Sequence, residues 1–318
     1  MGAPNTKKLT KLTFKLGSKA KMAFRGVFES PMTMGSNFGL LDCVKPETNL
    51  DENQWVRGFS QYWNSGIYSA KNWDDTDTTS YTIANNATPT RYLEVTPFFI
   101  EVSDNRSTLG LLGIDHIERI KLQLECITQK ALEAELWAGT IRLGESHSNR
   151  ALVDPAATIL NSGTALSATR ALALLEQSIG ETSSCGIQGV IHMTRDVASL
   201  LVNSNVLYHA STIYPGRKDT HYLTTLAGTP VVVGSGYSGA GPTDAAGDTE
   251  TPSTTNKWMY ATGEVRVILG DIDVVNDNLA QGYDVSGNAN NMLLKAIRPV
   301  AVYFDSSVHL AIRVDLAA

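Results

Sequence analysis

Residues Asp115–Trp137, DHIERIKLQLECITQKALEAELW, decide the reading of this chain. Apolar residues at Ile117, Ile120, Leu124, Ile127, Ala131 and Ala134 recur in steps of three and four, and Leu122, Cys126 and Leu136 widen that stripe into a face. The spacing predicts one long helix with a buried side. Glu118 with Lys121, and Lys121 with Glu125, fall at ion-pair spacing on the wetter side. Asp115 stands at the positive N-terminal end and Gly139 follows as the stop. At 1.5 Å per residue the segment runs roughly 35 Å, long enough to be the backbone of a domain.

Working outward, the chain of 318 residues can bury a sizeable core, and on a prior of roughly 150 residues per domain it makes about two domains. Charged residues are 18% of the chain, below the roughly 25% of typical soluble domains, which fits a subunit that hides surface against copies of itself. The net charge of -6 is unevenly spread. Lys7, Lys8, Lys11, Lys15, Lys19, Lys21 and Arg25 all precede the first acid, Glu29, and the remainder carries 19 basic against 32 acidic residues, a balance of -13. That is a basic arm on an acidic body. A solvated tail and a transit peptide are competing readings of the same residues. Cys43, Cys126 and Cys185 are odd in number, far apart and set among apolar neighbours, which fits buried thiols in a reducing compartment. The N-terminus has no apolar run of the signal-peptide kind, and nothing later approaches the length of a membrane span.

From Met1 to about Pro46 there is no sustained period beyond the alternation of Leu12, Phe14 and Leu16, which predicts an extended arm. Gln54 to Val102 is β-rich, with turn-like clusters at 74–80 and 85–90, and reads as a long hairpin that projects and returns. Too little can be buried within such a hairpin, so it should lean on another subunit or move. After the long helix come a polar connection to Asn161, a helix at Ser167–Ile179, a buried strand at Ile187–Met193 and a helix at Arg195–Leu201. Leu223–Val233 predicts a turn and a strand, and Gly234–Asn256 an exposed, mobile loop. Strands are expected at Trp258–Ala261, Val265–Leu269, Ile272–Val275, Leu293–Phe304 and Val308–Val314.

Catalytic motifs are absent. Gly234, Gly236 and Gly239 follow a strand and match G-x-G-x-x-G, but the next residues include Pro242, Gly247 and Pro252 and open no helix that could hold a pyrophosphate. His116, His147, His192, His209, His221 and His309 show no metal-site spacing. Ser238 in GYSGA misses a nucleophile elbow by one residue. Asp271 with Asp273, and Asp74, Asp75 and Asp77 in a loop, lack the glycine and terminal glutamate of a calcium loop and read as solvated acidic surface. The sequence thus argues against an enzyme and implies no metal or other cofactor.

The order of elements resembles the tailed-bacteriophage major capsid protein family, whose fold encapsulin shells share. The resemblance covers nearly the whole chain. It rests on KALEAELWAGT, on ALALLEQSIGETSSCGIQGVIHMTRDVASLL, on LAGTPVVV, and on MYATGEVRVILGDIDV followed by LLKAIRPVAVYFDSSVHLAIRV. It implies an α+β fold: an N-terminal arm (1–53), an extended β-hairpin loop (54–93), a peripheral domain (94–165 and 285–318) with its spine helix at 115–137, and an axial α/β domain (166–284). It implies a shell of pentamers and hexamers enclosing double-stranded DNA without sequence-specific binding, assembled in the bacterial cytoplasm. Portal and decoration proteins are the other partners, with a separate scaffolding protein, since no helical segment precedes the arm. The expected inter-subunit contacts are Lys7, Lys8, Lys11, Lys15 and Arg25 in the arm, and Lys71, Trp73, Asp74, Asp75 and Asp77 in the extended loop. Some family members form a covalent cross-link in this loop, but no partner for Lys71 can be matched, so none is expected. The alternatives are an encapsulin-like compartment with an enzyme cargo and a nucleotide-binding α/β enzyme.

Overall fold

The computed structural model describes residues 38–48, 50–64, 68–70, 81–83, 90–107, 116–139, 149–182, 189–210, 222–244, 247–276 and 291–317. All of them belong to one compact unit, Thr33–Ala318. Two helical turns come first, α1 (Leu40–Cys43) and α2 (Glu52–Arg57). Both fall where the sequence predicts extended arm or hairpin. Local caps explain the difference: the Asp42 carboxylate accepts from the Gly39 N–H at 3.1 Å, and the Gln54 carbonyl oxygen accepts from the Asp51 N–H at 2.9 Å. The hairpin then runs out through β1 (Phe59–Asn64) and β2 (Tyr68–Ala70) and back through β3 (Tyr81–Ile83) and β4 (Thr90–Val95). Its register pairs Phe59 with Val95 and Asn64 with Thr90, then Tyr68 with Ile83.

After β5 (Phe98–Ser107) comes the long helix α3 (His116–Ala138), within one residue of the expected bounds at each end. Gly139, at φ 64°, stops it in a left-handed conformation, and its N–H bonds to the Glu135 carbonyl at 2.8 Å. The returning chain satisfies two more terminal carbonyls: Leu152 N–H bonds to Leu136 O at 2.9 Å and Val153 N–H to Trp137 O at 3.1 Å. The buried face follows the predicted one at Ile120, Leu124 and Leu136 and departs from it elsewhere. Ile117 and Ile127 are 52% and 40% exposed, whereas Thr128, Gln129, Glu133 and Glu135 are buried. Neighbours wrap the C-terminal half of α3, so polar positions are enclosed there along with Leu132, Leu136 and Trp137.

The remaining elements are β6 (Thr158–Ile159), β7 (Leu166–Ser167), α4 (Ala168–Thr182), β8 (Val190–Met193), α5 (Arg195–Asn203), β9 (Leu207–Ala210), β10 (Tyr222–Thr225), β11 (Pro230–Val233), β12 (Asn256–Thr262), β13 (Val265–Leu269), β14 (Asp273–Asn276), β15 (Asn291–Phe304) and β16 (His309–Asp315). One sheet has the order β6-β16-β12-β8-β11-β10-β9, with β7 also on β16. The other is built on β15, with β13 and β14 in succession along one edge and β5 along the opposite edge. The pairing cuts across the expected segments: β13 and β14, expected with residues 166–284, join β15, while β16, expected with residues 285–318, joins the eight-stranded sheet. A strand's sheet is chosen by its long-range partner, which its own residues do not name.

Alternation places the two cores. In β8, β11 and β12, Ile191, Met193, Val231, Val233, Met259 and Ala261 enter the cluster built with α4 and α5, while Val190, Val232, Trp258 and Tyr260 enter the cluster around α3. Strands covered on both faces read as nearly continuous apolar runs, as PVVV does and as VIHM does apart from His192. On the second sheet, Ile100, Val267, Ala296 and Val302 face the α3 core, whereas Ile268, Ala301 and Tyr303 meet Trp55 and Phe59 at the root of the hairpin.

Candidate functional site

The expected contact residues Lys7, Lys8, Lys11, Lys15, Arg25, Lys71, Trp73, Asp74, Asp75 and Asp77 all lie outside the described residues. The structure shows how residues 38–47 are anchored to the body. Buried Glu133, on α3, gathers four donors, one from its own helix and three from two distant segments. Its Oε1 accepts from Leu40 N–H at 3.0 Å and Gln129 Nε2–H at 3.1 Å; its Oε2 accepts from Gly236 N–H at 2.9 Å and Ser235 Oγ–H at 3.2 Å. A buried carboxylate is tolerated because it is saturated with donors.

The segment holding Leu40 is a strap across the body. Val233 N–H bonds to Phe38 O at 2.8 Å, at the end of β11, and Cys43 Sγ–H points to Val231 O at 3.5 Å. Farther on, Glu47 N–H bonds to Val267 O at 2.8 Å and Leu269 N–H to Glu47 O at 2.9 Å, alongside β13. Residues 38–47 therefore link both sheets. Burial raises the Cys43 thiol far above its usual range, so it serves as a small apolar group.

The glycine-rich stretch after β11 corrects an expectation. Gly234, Tyr237 and residues 239–242 are buried, not exposed, and no helix opens behind them. The small residues allow close approach to α3: a Cβ on Gly236 would stand 2.3 Å from Lys130 O and 2.8 Å from Ala134 N. The loop lies on the helix backbone, which is work that the G-x-G-x-x-G pattern cannot reveal.

Beside it runs a polar chain. Tyr237 packs on Trp137 at a tilt of 38° with centroids 4.7 Å apart, and Trp137 meets Tyr260 edge-on at 5.0 Å. Thr262 Oγ1–H donates to Gly263 O at 3.0 Å, so Thr262 Oγ1 accepts from His192 Nε2–H at 3.0 Å. The bare Nδ1 of His192 then accepts from the Tyr237 hydroxyl at 2.8 Å. Burial, with His309 nearby, lowers His192 to about 3, and burial beside Glu133 raises Tyr237 well above the phenol range. Both stay neutral near pH 7. The trio has the residue types of an acid–base relay, but it is sealed: His192 is fully buried and every described partner is satisfied within the protein. It serves as a joint between α3 and the sheet.

His309 extends the joint, its Nε2–H bonding to Leu152 O at 3.0 Å, and burial lowers its pKa. Asp271 and Asp273 are both exposed, Asp271 just ahead of β14 and Asp273 its first residue. Among the described residues no group of three His, Cys, Asp or Glu side chains is placed to hold a metal ion. No helix among them is long and apolar enough to cross a membrane.

No protein-family model matches the chain, and neither does any curated protein sequence. Solved structures do overlap it. The capsid of an empty GTA particle matches with a TM-score of 0.49 at 12% identity, covering 95% of this chain and 96% of that one. The capsid of Ralstonia phage GP4 matches with a TM-score of 0.48 at 9% identity, over 94% and 98%. A virus-like particle from Pyrococcus furiosus matches with a TM-score of 0.40 at 10% identity, over 88% and 93%. These are likenesses of shape at low identity.

Proposed function

We propose that this chain is the structural subunit of a closed shell, the major capsid protein of a tailed bacteriophage. The observation that carries the reading is the hairpin of β1 to β4. It is two strands wide along its described length, its root packs on the Ile268–Tyr303 cluster, and no third strand pairs with it among the described residues. A two-stranded ribbon is at best marginally stable by itself, so a neighbouring copy should supply its support. The body suits that use: α3 and the strap tie two sheets together, giving a rigid unit from which the hairpin and arm can reach neighbours.

In this reading residues 94–165 with 285–318 form the peripheral part of the subunit and 166–284 the part near a capsomer axis, each lending strands to the other's sheet. Appendages of this kind bury roughly 2,000 to 5,000 Å² in obligate contacts. The arm residues Lys7, Lys8, Lys11, Lys15 and Arg25 clasp acidic surface on an adjacent copy, and the hairpin residues 71–77 contact another. A body at -13 repels packaged phosphate, so DNA is enclosed and not gripped. A scaffolding protein and a portal complete assembly in the host cytoplasm.

Electron microscopy of the purified protein, alone and co-expressed with its neighbouring genes, tests this. Closed polyhedral shells, capsomer rings or tubes are expected. A uniform monomer or dimer in every condition would overturn the reading. Deleting residues 1–28 should impair assembly; unchanged shells with unchanged thermal stability would refute the clasp.

A further inference from the structure

Phe38, at the start of the strap, has a backbone that bulky side chains rarely adopt: φ is 79°, in the left-handed region. A residue strained in this way persists only where its surroundings hold it. The Phe38 ring packs against the α4–α5 cluster, and its carbonyl takes the Val233 N–H. Two residues on, Leu40 is fully buried in the α3 cluster and its N–H reaches Glu133. The twist at Phe38 therefore turns nearby side chains into cores on opposite faces of the eight-stranded sheet. Gly39 makes the crossing possible, since a Cβ there would overlap Gln129 Nε2 and stand 2.7 Å from Glu133 Oε1.

The attachments of this segment are few and separable. Residues 38–44 add no strand to either sheet, and α1 makes its backbone bonds within itself, Cys43 N–H on Gly39 O at 3.3 Å and Val44 N–H on Leu40 O at 2.9 Å. If Leu40 leaves, Glu133 keeps Gln129 on Oε1 and Gly236 with Ser235 on Oε2, so the buried carboxylate is not stripped of donors. At the far end Glu47 stays bonded to Val267 and Leu269. Opening thus breaks the tie to β11 and α3 and leaves the tie to β13.

We infer that residues 38–44 form a strained latch. Closed, it joins the two sheets; open, it swings about Glu47 as one unit while both sheets stay folded. Burial of Leu40 and Cys43 keeps it shut, and strain at Phe38 opposes them, weighting the open state by roughly five- to thirtyfold. The latch belongs to the single subunit and does not rest on the shell reading.

Hydrogen exchange on the unassembled full chain tests it. The amides of Leu40, Val44 and Val233 report the latch, because a single helical turn has no stability once undocked and Val233 N–H is bonded to Phe38 O. Their protection factors should agree within about twofold and lie at least about tenfold below those of the ladder amides of β8 and β12. Phe38→Gly and Phe38→Ala lose the same ring, but only glycine accepts a φ of 79° without strain. All three protection factors should therefore be about fivefold higher in Phe38→Gly than in Phe38→Ala. Strap protection equal to that of the sheets, three unrelated values, or no excess of Phe38→Gly over Phe38→Ala would each overturn the inference. Should either variant fail to fold, the wild-type protection factors decide it alone.

Discussion

The two faces of the eight-stranded sheet are buried to similar depth by different chemistry. The face under α4 and α5 is mainly hydrocarbon: Leu175, Ile191, Met193, Val231, Met259 and Ile312 meet there, and its polar groups include Ser178 and the Thr229–Glu176 hydrogen bond of 2.9 Å. The face under α3 holds Glu133, His192 and Thr262 among Trp137, Tyr237 and Tyr260. Hydrocarbon packing is non-directional and tolerates repacking, whereas a saturated carboxylate and a bonded imidazole accept one arrangement of their neighbours. The α3 face therefore sets the position of the helix, strap and glycine-rich loop, and the α4 face mainly contributes stability.

The contrast can be broken or sharpened by mutation, with stability read from urea or thermal unfolding. Trp137→Ala removes both ring contacts on the α3 face and should cost about 3–5 kcal/mol. Glu133→Gln keeps the shape but turns an acceptor oxygen into an NH₂ group facing donors, and should cost about 2 kcal/mol. Gly236→Ala should cost about 1–3 kcal/mol by lifting the loop from α3. Loss of protection of the Leu40 amide in hydrogen exchange would show the strap released in Glu133→Gln.

The pH dependence sharpens the contrast further. The His192 pKa falls from an ordinary 6.5 to about 3 on folding, so below pH 6.5 the unfolded chain takes up a proton that the folded chain refuses. The stability associated with neutral His192 is present above pH 6.5 and is lost as pH falls toward 3, at no more than about 1.4 kcal/mol per unit. His309 acts with the same sign. His192→Asn should flatten the slope between pH 6 and 4, and an unchanged slope would remove His192 from the account. The smallest effect belongs to the other face: Leu175→Met should cost under about 1.5 kcal/mol. If Leu175→Met proved as costly as Glu133→Gln, the two faces would not differ as argued.

The sequence by itself determined the elements whose signals are local. Period and caps place α3 to within one residue, strand signals place β13 and β15, and LAGTPVVV places a turn and β11 but not β10, the strand before that turn. The absence of a helix behind Gly239 was also legible, because Pro242, Gly247 and Pro252 stand in the chain itself. Tertiary structure alone decided the rest. Glu133 looks like a solvent-facing residue until Leu40, Ser235 and Gly236, 93 to 103 residues away, converge on it. Gly236 looks like loop flexibility until the backbone of α3 lies against it. The exchange of strands between sheets and the enclosure of polar residues along α3 have the same origin. Local propensity is a property of neighbours along the chain, whereas burial, register and hydrogen-bond saturation are set by segments that meet only once the chain has folded.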